Sequence, residues 1–471
     1  MSAAGPPQGG RPLGGAARSA VRGEHASAAS AAVALRGALV TFTGDPFIEG
    51  VAATCRHEPD AIVVIADGRI ADCGAAADVL PRLPVGTKVT AYANALITAG
   101  FVDTHVHYPQ VPIIGAGGRP LLEWLSGCTF PAEERYASAD YARGVARTYL
   151  RENLRNGITT AAVFATVHPV SADVLFAEGD ALGMRMIAGK VLMDRNAPAA
   201  LTDTAQRGYD ESKALIDRWH GRGRLAYAIT PRFAVTSTPA QLDAAGALKR
   251  EHPDAYVQSH VSENLAEIAL VRSLFPAASS YLDVYARHGL TGPRTIYGHG
   301  VHLDEADFRF LHDTQTAIAH CPTSNNFLGS GLFRLGVATD ARRPVRVGLA
   351  TDLGGGTTFS MLRTMQAAYE VAQLAAMPLA PAGALYLATR GAARALHIED
   401  RVGSVAVGME ADLTVLDLRS TPLIDFRMRD ARDLSEVLAI QMALADDRVV
   451  RATYVAGRCL YDRDSGAISG L

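Results

Sequence analysis

The sequence predicts an α/β protein in which a (β/α)8 TIM-type barrel carries a small β-sandwich domain built from both chain ends. Three observations lead there. Eight near-continuous apolar runs alternate with helix-patterned stretches through the middle of the chain, short β-rich pieces flank this region on both sides, and polar or titratable residues close nearly every run. Buried strands alternating with helices imply a parallel sheet covered on its outside, and a count of eight suggests closure into a barrel. An open doubly wound sheet is the runner-up, but no G-x-G-x-x-G follows the first strand.

Residues 1–33 read as a disordered extension, rich in Ala, Gly, Pro and Ser and nearly empty of large apolar side chains. A transit peptide is the alternative there; three arginines and a single acid, Glu24, favour it, while the glycines and prolines spoil an amphipathic helix. Residues 34–96 hold the first part of the small β domain in "ALRGALVTFTG", "AIVVIADGRIADCG" and the start of "TKVTAYANALITAG", with Asp67-Gly68 as a turn. The barrel is expected over residues 97–402. Its strands are "ALITAGFVDTHVH", "ITTAAVFATVH", "MRMIAGKVLM", "RLAYAITPRF", "AYVQSHVSE", "RTIYGHGVHL", "TAIAHCPTSN" and "VRVGLATDLGG". Stretches such as "YARGVARTYLRENLRNG" and "SADVLFAEGDALG" carry helical spacing and end on glycine. Residues 403–471 repeat the β-rich texture in "GSVAVGMEADLTVLDL" and "VVRATYVAGRCLYD". Neither end has enough strands to bury a face alone, so the two are expected to complete one small domain.

With 45 Lys and Arg against 48 Asp and Glu in 471 residues, the net charge is −3, which offers no basic stripe for nucleic acid. A neutral small molecule is the expected partner. Five scattered cysteines without a C-x-x-C pair argue against a disulfide framework or a structural zinc module and favour a reducing compartment, the cytoplasm. No run of apolar residues is long enough for a membrane helix.

In a barrel the C-terminal strand ends form the active face. His105 and His107 end the first strand, Arg232 the fourth, His260 and Glu263 the fifth, His299 the sixth, His320 the seventh and Asp352 the eighth. Strand side chains alternate faces, so His105 and His107 share one. Two imidazoles on one face make a natural site for a borderline-soft divalent ion, which His260 and Asp352 would complete while leaving room for water. Zinc lowers the pKa of a water it holds from about 15.7 to about 7. Glu263, just past its strand, is placed to shuttle protons from that water to a substrate nitrogen and then to a leaving amine; a helix N-terminal charge ahead of "LAEIALVRSLF" is its equally weighted structural alternative. His299 is either a further imidazole on the ion or a hydrogen-bond partner of its water. His302 and His320 read as structural, with His320 supporting Asp352 or the seventh loop. The glycine run "DLGGGTTFS" lacks the G-K-[ST] of a phosphate loop and is expected to bring backbone close to the metal carboxylate. The H-x-E followed by P-C-x-x-C of cytidine-deaminase-type enzymes is not matched either: "HVSE" is H-x-x-E, and the chain has no C-x-x-C.

Together, "GFVDTHVH", "SHVSEN", "YGHGVHL", "AHCPTSNNFLGSGLF" and "LATDLGGGTTFSML" resemble the metal-dependent amidohydrolase superfamily over roughly residues 35–471. Within it, "THVHYPQ", "AGKVLMDRNAP", "TPRFAVT", "HCPTSNNFLGSGLF" and "TDLGGGTTFSM" resemble the guanine deaminase branch. The resemblance implies hydrolytic deamination of guanine to xanthine and ammonia in purine catabolism. It makes His105, His107, His260 and Asp352 metal ligands, counts His299 with the metal site, matches Glu263 to the proton shuttle, and gives Gln110, Arg232, Phe233 and His260 to substrate binding. Members with two metals bridge them through a modified lysine at the end of strand 4, where this chain has Arg232, while Lys190 lies in strand 3. One zinc per subunit is therefore expected, with iron or manganese as alternatives, in a homodimer.

A neutral, flat purine needs fixed donors and acceptors. Arg232, all donors, suits the O6/N7 side, and Gln110, with one donor group and one acceptor, suits the N3/N9 side. A sister aminohydrolase acting on 8-oxoguanine, a pterin, a triazine or an adenine nucleoside is the alternative. From a different class comes a non-catalytic barrel scaffold, against which the retention of every metal position argues.

Overall fold

The computed structural model describes Gly5 and residues 32–470. The extension expected over residues 1–33 therefore lies outside the described residues, save for Gly5 and its last two positions. Along the chain, β1 (Val33–Phe42), β2 (Cys55–Ala66), β3 (Arg69–Ala75) and β4 (Lys88–Ala99) come first. They are followed by β5 (Phe101–His107), β6 (Ile158–Phe164), β7 (Arg185–Gly189), β8 (Val191–Leu192), β9 (Leu225–Pro231), β10 (Tyr256–Val261), β11 (Thr295–His299), β12 (Ala317–His320) and β13 (Val347–Leu349). Last come β14 (Leu413–Asp417), β15 (Val450–Val455), β16 (Arg458–Asp462) and β17 (Ala467–Ile468).

All eight expected barrel runs contain strands. They pair in parallel in the order β5-β6-β7-β9-β10-β11-β12-β13, with β8 a short continuation of the third run against β9. Polar bonds bring β13 back to β5. Thr104 Oγ1 donates to Leu349 O at 2.9 Å, the Asp352 amide donates to His105 O at 2.9 Å, and buried Asp103 accepts the Thr351 amide at 2.9 Å. The third run breaks at Lys190, whose buried ammonium pairs with Asp203 and, at 2.7 Å, with Glu211. Between strands, the helix Ala139–Arg155 starts under the Ser138 cap, and Pro169–Leu182 ends on left-handed Gly183.

The chain ends form one eight-stranded sheet, ordered β17-β16-β15-β14-β4-β1-β2-β3. Asp67 and Gly68, at φ 49° and 75°, make the tight turn between β2 and β3, and Ala456 and Gly457, at 45° and 76°, make the one between β15 and β16. Its core includes Leu35, Val63, Ile97, Leu413 and Tyr454. Two features depart from expectation. The run Ala95–Ala99, grouped with the first barrel strand in the sequence, belongs to β4 and pairs with β14. Gly100 makes the break; its amide donates to Asp412 O at 2.8 Å, and a Cβ there would lie 2.3 Å from Thr159 Oγ1. The C-terminal part also holds the helices Pro422–Met428 and Leu434–Leu444, whose Leu438, Ile440 and Met442 pack into the barrel's core rather than the sheet's. Among the described residues no helix is long and apolar enough to cross a membrane.

A buried ion network joins barrel and sheet. Arg185 Nη2 donates to both Glu410 oxygens at 2.6 and 2.7 Å, and Arg224 donates to Glu410 at 2.8 Å and to Asp412 at 2.6 Å. Burial pushes the Glu410 carboxyl up, but Arg224 and Arg185 overcome it and hold it below the ordinary range. Its stabilisation is therefore present above the unfolded pKa and lost as pH falls through the lower folded value. Glu410→Gln is expected to cost about 3–5 kcal/mol at pH 7, because it strands the buried Arg185 guanidinium and leaves Arg224 with Asp412 as its remaining carboxylate. Denaturant unfolding checks this, and a loss that did not shrink in acid would reject the ionic origin.

Candidate active site

Parallel pairing delivers the C-terminal ends of the barrel strands to one face, where the expected side chains meet. His107 Nε2 lies 3.0 Å from His260 Nε2 and 3.6 Å from Asp352 Oδ1, and His105 Nε2 lies 3.4 Å from the same oxygen. His260 Nδ1 is 2.6 Å from Arg232 O; its proton belongs there, which leaves Nε2 with a free lone pair. Burial first, then mutual repulsion, holds the His107 and His260 imidazoles well below their ordinary range, and burial lowers His105 against the pull of Asp352. All three are neutral, the form that ligates metal.

Among the described residues, His105 Nε2 and His107 Nδ1 are buried without a hydrogen-bond partner. Facing lone pairs on buried nitrogens beside a carboxylate cost energy unless a cation lies among them, so the donor set fits a divalent ion. Donor atoms of His105, His107 and His260 lie within 4.8 Å of one another, as do those of His105, His299, Cys321 and Asp352. The cysteine was not foreseen at the site. Its thiol donates to Ala319 O at 3.3 Å, and burial keeps it protonated. Only its place directly after His320 at a strand end signals it.

His299 donates from Nδ1 to Asn325 Oδ1 at 2.9 Å and turns Nε2 between Glu263 Oε2, at 3.4 Å, and Asp352 Oδ2, at 3.7 Å. Burial alone would lower its pKa, and the two carboxylates raise it above the ordinary value. Burial pushes the Glu263 carboxyl up to about 7 against the attraction of His299, and Ser330 Oγ donates to its Oε1 at 2.9 Å. Asn264 and Glu267 form the capping box of the following helix Leu265–Leu274, so Glu263 is not needed as its cap. Ser262, His299 and Asp352 stand in the left-handed region at φ 48°, 72° and 44°, strain that the surrounding barrel holds at the site.

One cavity with about 370 Å³ of empty space joins these groups to Gln110, Arg232 and Phe233. His105, packed against His107 and His260, is not among the lining residues. Leu121, Trp124 and Leu125 close one wall, a contribution not foreseen; the apolar pattern of "LLEWL" in a connection too long for a simple βα loop was its available signal. Glu133 was missed as well, and it pairs with Arg232. The glycine run packs as closely as expected. A Cβ on Gly354, at φ 115°, would lie 2.2 Å from Gln110 Oε1, and one on Gly355 would lie 3.5 Å from Asp352 Oδ2. His302 Nε2 contacts Ser330 O at 2.8 Å. His320 makes no hydrogen bond to Asp352; its ring, held neutral at about 3 by burial, packs 4.8 Å from the Phe333 ring in the seventh loop. Of its two expected supports, the loop is the one observed.

Comparison with known proteins places this arrangement. The chain matches the Amidohydrolase family over residues 96–460. It is 47% identical to a guanine deaminase of Escherichia coli K12 over 416 residues, covering 88% of this chain and 94% of the relative. A solved E. coli guanine deaminase superposes with a TM-score of 0.89 at 46% identity, over 92% of this chain and 100% of that one. A guanine deaminase from C. acetobutylicum with bound guanine in the active site superposes at 0.82 with 29% identity, over 91% and 100%.

Proposed function

The chain belongs to the amidohydrolase family, and from that premise we propose that it hydrolyses guanine to xanthine and ammonia. The observation that carries the reading is the single cavity lined both by Gln110, Arg232 and Phe233 and by Glu263, His299 and Asp352. Its similarity to guanine deaminases supports the choice of ring.

His105, His107, His260 and Asp352 would hold one zinc per subunit; iron and manganese accept the same donors. When bound, such an ion supplies Lewis acidity and a water acidic enough to lose a proton near neutral pH. The chain's own residues do the rest. Arg232 donates to the O6/N7 edge, Gln110 meets the N3/N9 side and Phe233 packs against the ring, which turns C2 and its amine toward Glu263. The Glu263 carboxyl, poised at about 7, takes a proton from the attacking water at Oε2, delivers it to the ring nitrogen beside C2, and moves the second proton to the departing amine. His299, anchored by Asn325, faces both carboxylates and keeps them oriented and apart. Water adds oxygen at C2, ammonia leaves, and the atoms balance. The free cysteines support a cytoplasmic setting, and the family resemblance supports a homodimer.

The test is ammonia release and the ultraviolet change on adding guanine to purified protein of measured metal content. Steady turnover is expected; metal-loaded protein inert to guanine would redirect the search to other aminated rings.

A further inference from the structure

We propose that Glu133 is the positioning residue that sets which donors and acceptors the cavity presents to the purine, and so sets preference for a 6-oxo ring; this rests on the guanine reading above. Glu133 ends the short helical segment Phe130–Glu133, away from every strand end that supplies the site. It is 0% exposed, and a buried carboxylate requires partners. The partners are the two residues assigned to the substrate's edges. Arg232 Nη1 donates to Oε1 at 3.0 Å and to Oε2 at 2.8 Å, and Gln110 Nε2 donates to Oε1 at 3.5 Å. Phe130 of the same segment lies under the guanidinium, its ring centroid 5.5 Å from the Arg232 Cζ.

Two consequences follow from donor and acceptor chemistry. Anchoring Nη1 fixes the guanidinium plane; among the described residues Nε and Nη2 make no other hydrogen bond and stay available to the cavity that Arg232 lines. A carboxylate only accepts, so the Gln110 amide must turn its NH2 toward Glu133, and its carbonyl oxygen is the group left for a ring N–H. Two long, rotatable side chains thus become a fixed pattern, donors at one edge and an acceptor at the other. Guanine offers the complement, with O6 and N7 accepting on one side and N9–H donating on the other.

The experiment compares kcat/KM for guanine and 2-aminopurine, which keeps the 2-amino group and lacks the 6-oxo group, in wild type, Glu133→Gln, Arg232→Ala and the double variant, each with measured zinc content and unfolding midpoint. Glu133→Gln is expected to lower guanine kcat/KM on the order of 10- to 100-fold, as loss of an orienting partner does elsewhere. The 2-aminopurine value falls far less, so the preference ratio drops by about tenfold or more. Added to Arg232→Ala, the same change leaves the ratio where Arg232→Ala put it. A ratio in Glu133→Gln within about twofold of wild type, both substrates having fallen together, overturns the proposal and makes Glu133 a stability residue only. Should Glu133→Gln not fold, Glu133→Asp, which keeps the charge and shortens the reach, is read the same way: a lowered ratio supports the proposal and an unchanged one overturns it. A wild type inert to guanine overturns the functional reading itself, before any variant is compared.

Discussion

Glu263→Gln lowers kcat for guanine by about 10²- to 10⁴-fold, the range for losing a positioned acid–base group, while metal content and unfolding midpoint stay at wild-type values. Glutamine keeps the shape and can still accept from Ser330 Oγ, which lies 2.9 Å from Oε1. What it lacks is a titratable proton. In the wild type, burial brings that proton to about 7, so the group gives and takes it with little bias near neutrality. A purely structural role would show itself differently. The helix that follows already has its capping box in Asn264 and Glu267, so if Glu263 only complemented the helix end, glutamine would cost a few tenths of a kcal/mol of stability, roughly, and no rate. Steady-state kinetics on zinc-loaded protein decides, and a variant that retained more than about a tenth of wild-type kcat would remove Glu263 from the proton path.

Asp352→Asn is expected to strip the metal. Outer partners of metal ligands are worth about 10- to 100-fold in affinity, so loss of the only carboxylate in the proposed ligand set costs at least about 100-fold. The substitution isolates charge from backbone strain, because Asp352 sits at φ 44° and asparagine tolerates the left-handed region as well as aspartate does. The carboxylate also faces three imidazoles, with oxygen to nitrogen distances of 3.4 Å to His105, 3.6 Å to His107 and 3.7 Å to His299. A neutral amide would give the ion held among them no countercharge. Zinc measured after gel filtration, with and without a competing chelator, reads the outcome; a variant that kept full zinc under competition would exclude Asp352 as a ligand whatever its activity.

The barrel and most of its chemistry were legible because both have a period. Parallel strands buried on both faces read as apolar runs, and a barrel sends the end of every run to the same face, so His105, His107, Arg232, His260, Glu263, His299 and Asp352 could be gathered without coordinates. What could not be read lacks a period. Glu133 lies in an irregular segment, and its partner is 99 positions away. The walls formed by Leu121, Trp124 and Leu125 belong to the same segment. Gly100 divides one apolar run between two sheets, and nothing in the hydropathy of "ALITAGFVDTHVH" marks the change; the bond from the Gly100 amide to Asp412 that makes it comes from the far end of the chain. Cys321 was visible as a residue, but its nearness to Asp352 depends on how β12 and β13 lie side by side.

The sheet order also fixes when this protein can finish folding. β4 lies between β1 and β14, with Ala99 opposite Leu413, so the strand that leads into the barrel keeps an open edge until Leu413–Asp417, more than 300 residues later, has left the ribosome. The barrel is therefore synthesised between two halves of a clasp. A nascent chain cut short before Leu413 would keep β4 paired with β1 but leave its other edge open at the apolar Leu96 and Ile97, the kind of edge that recruits chaperones or other chains.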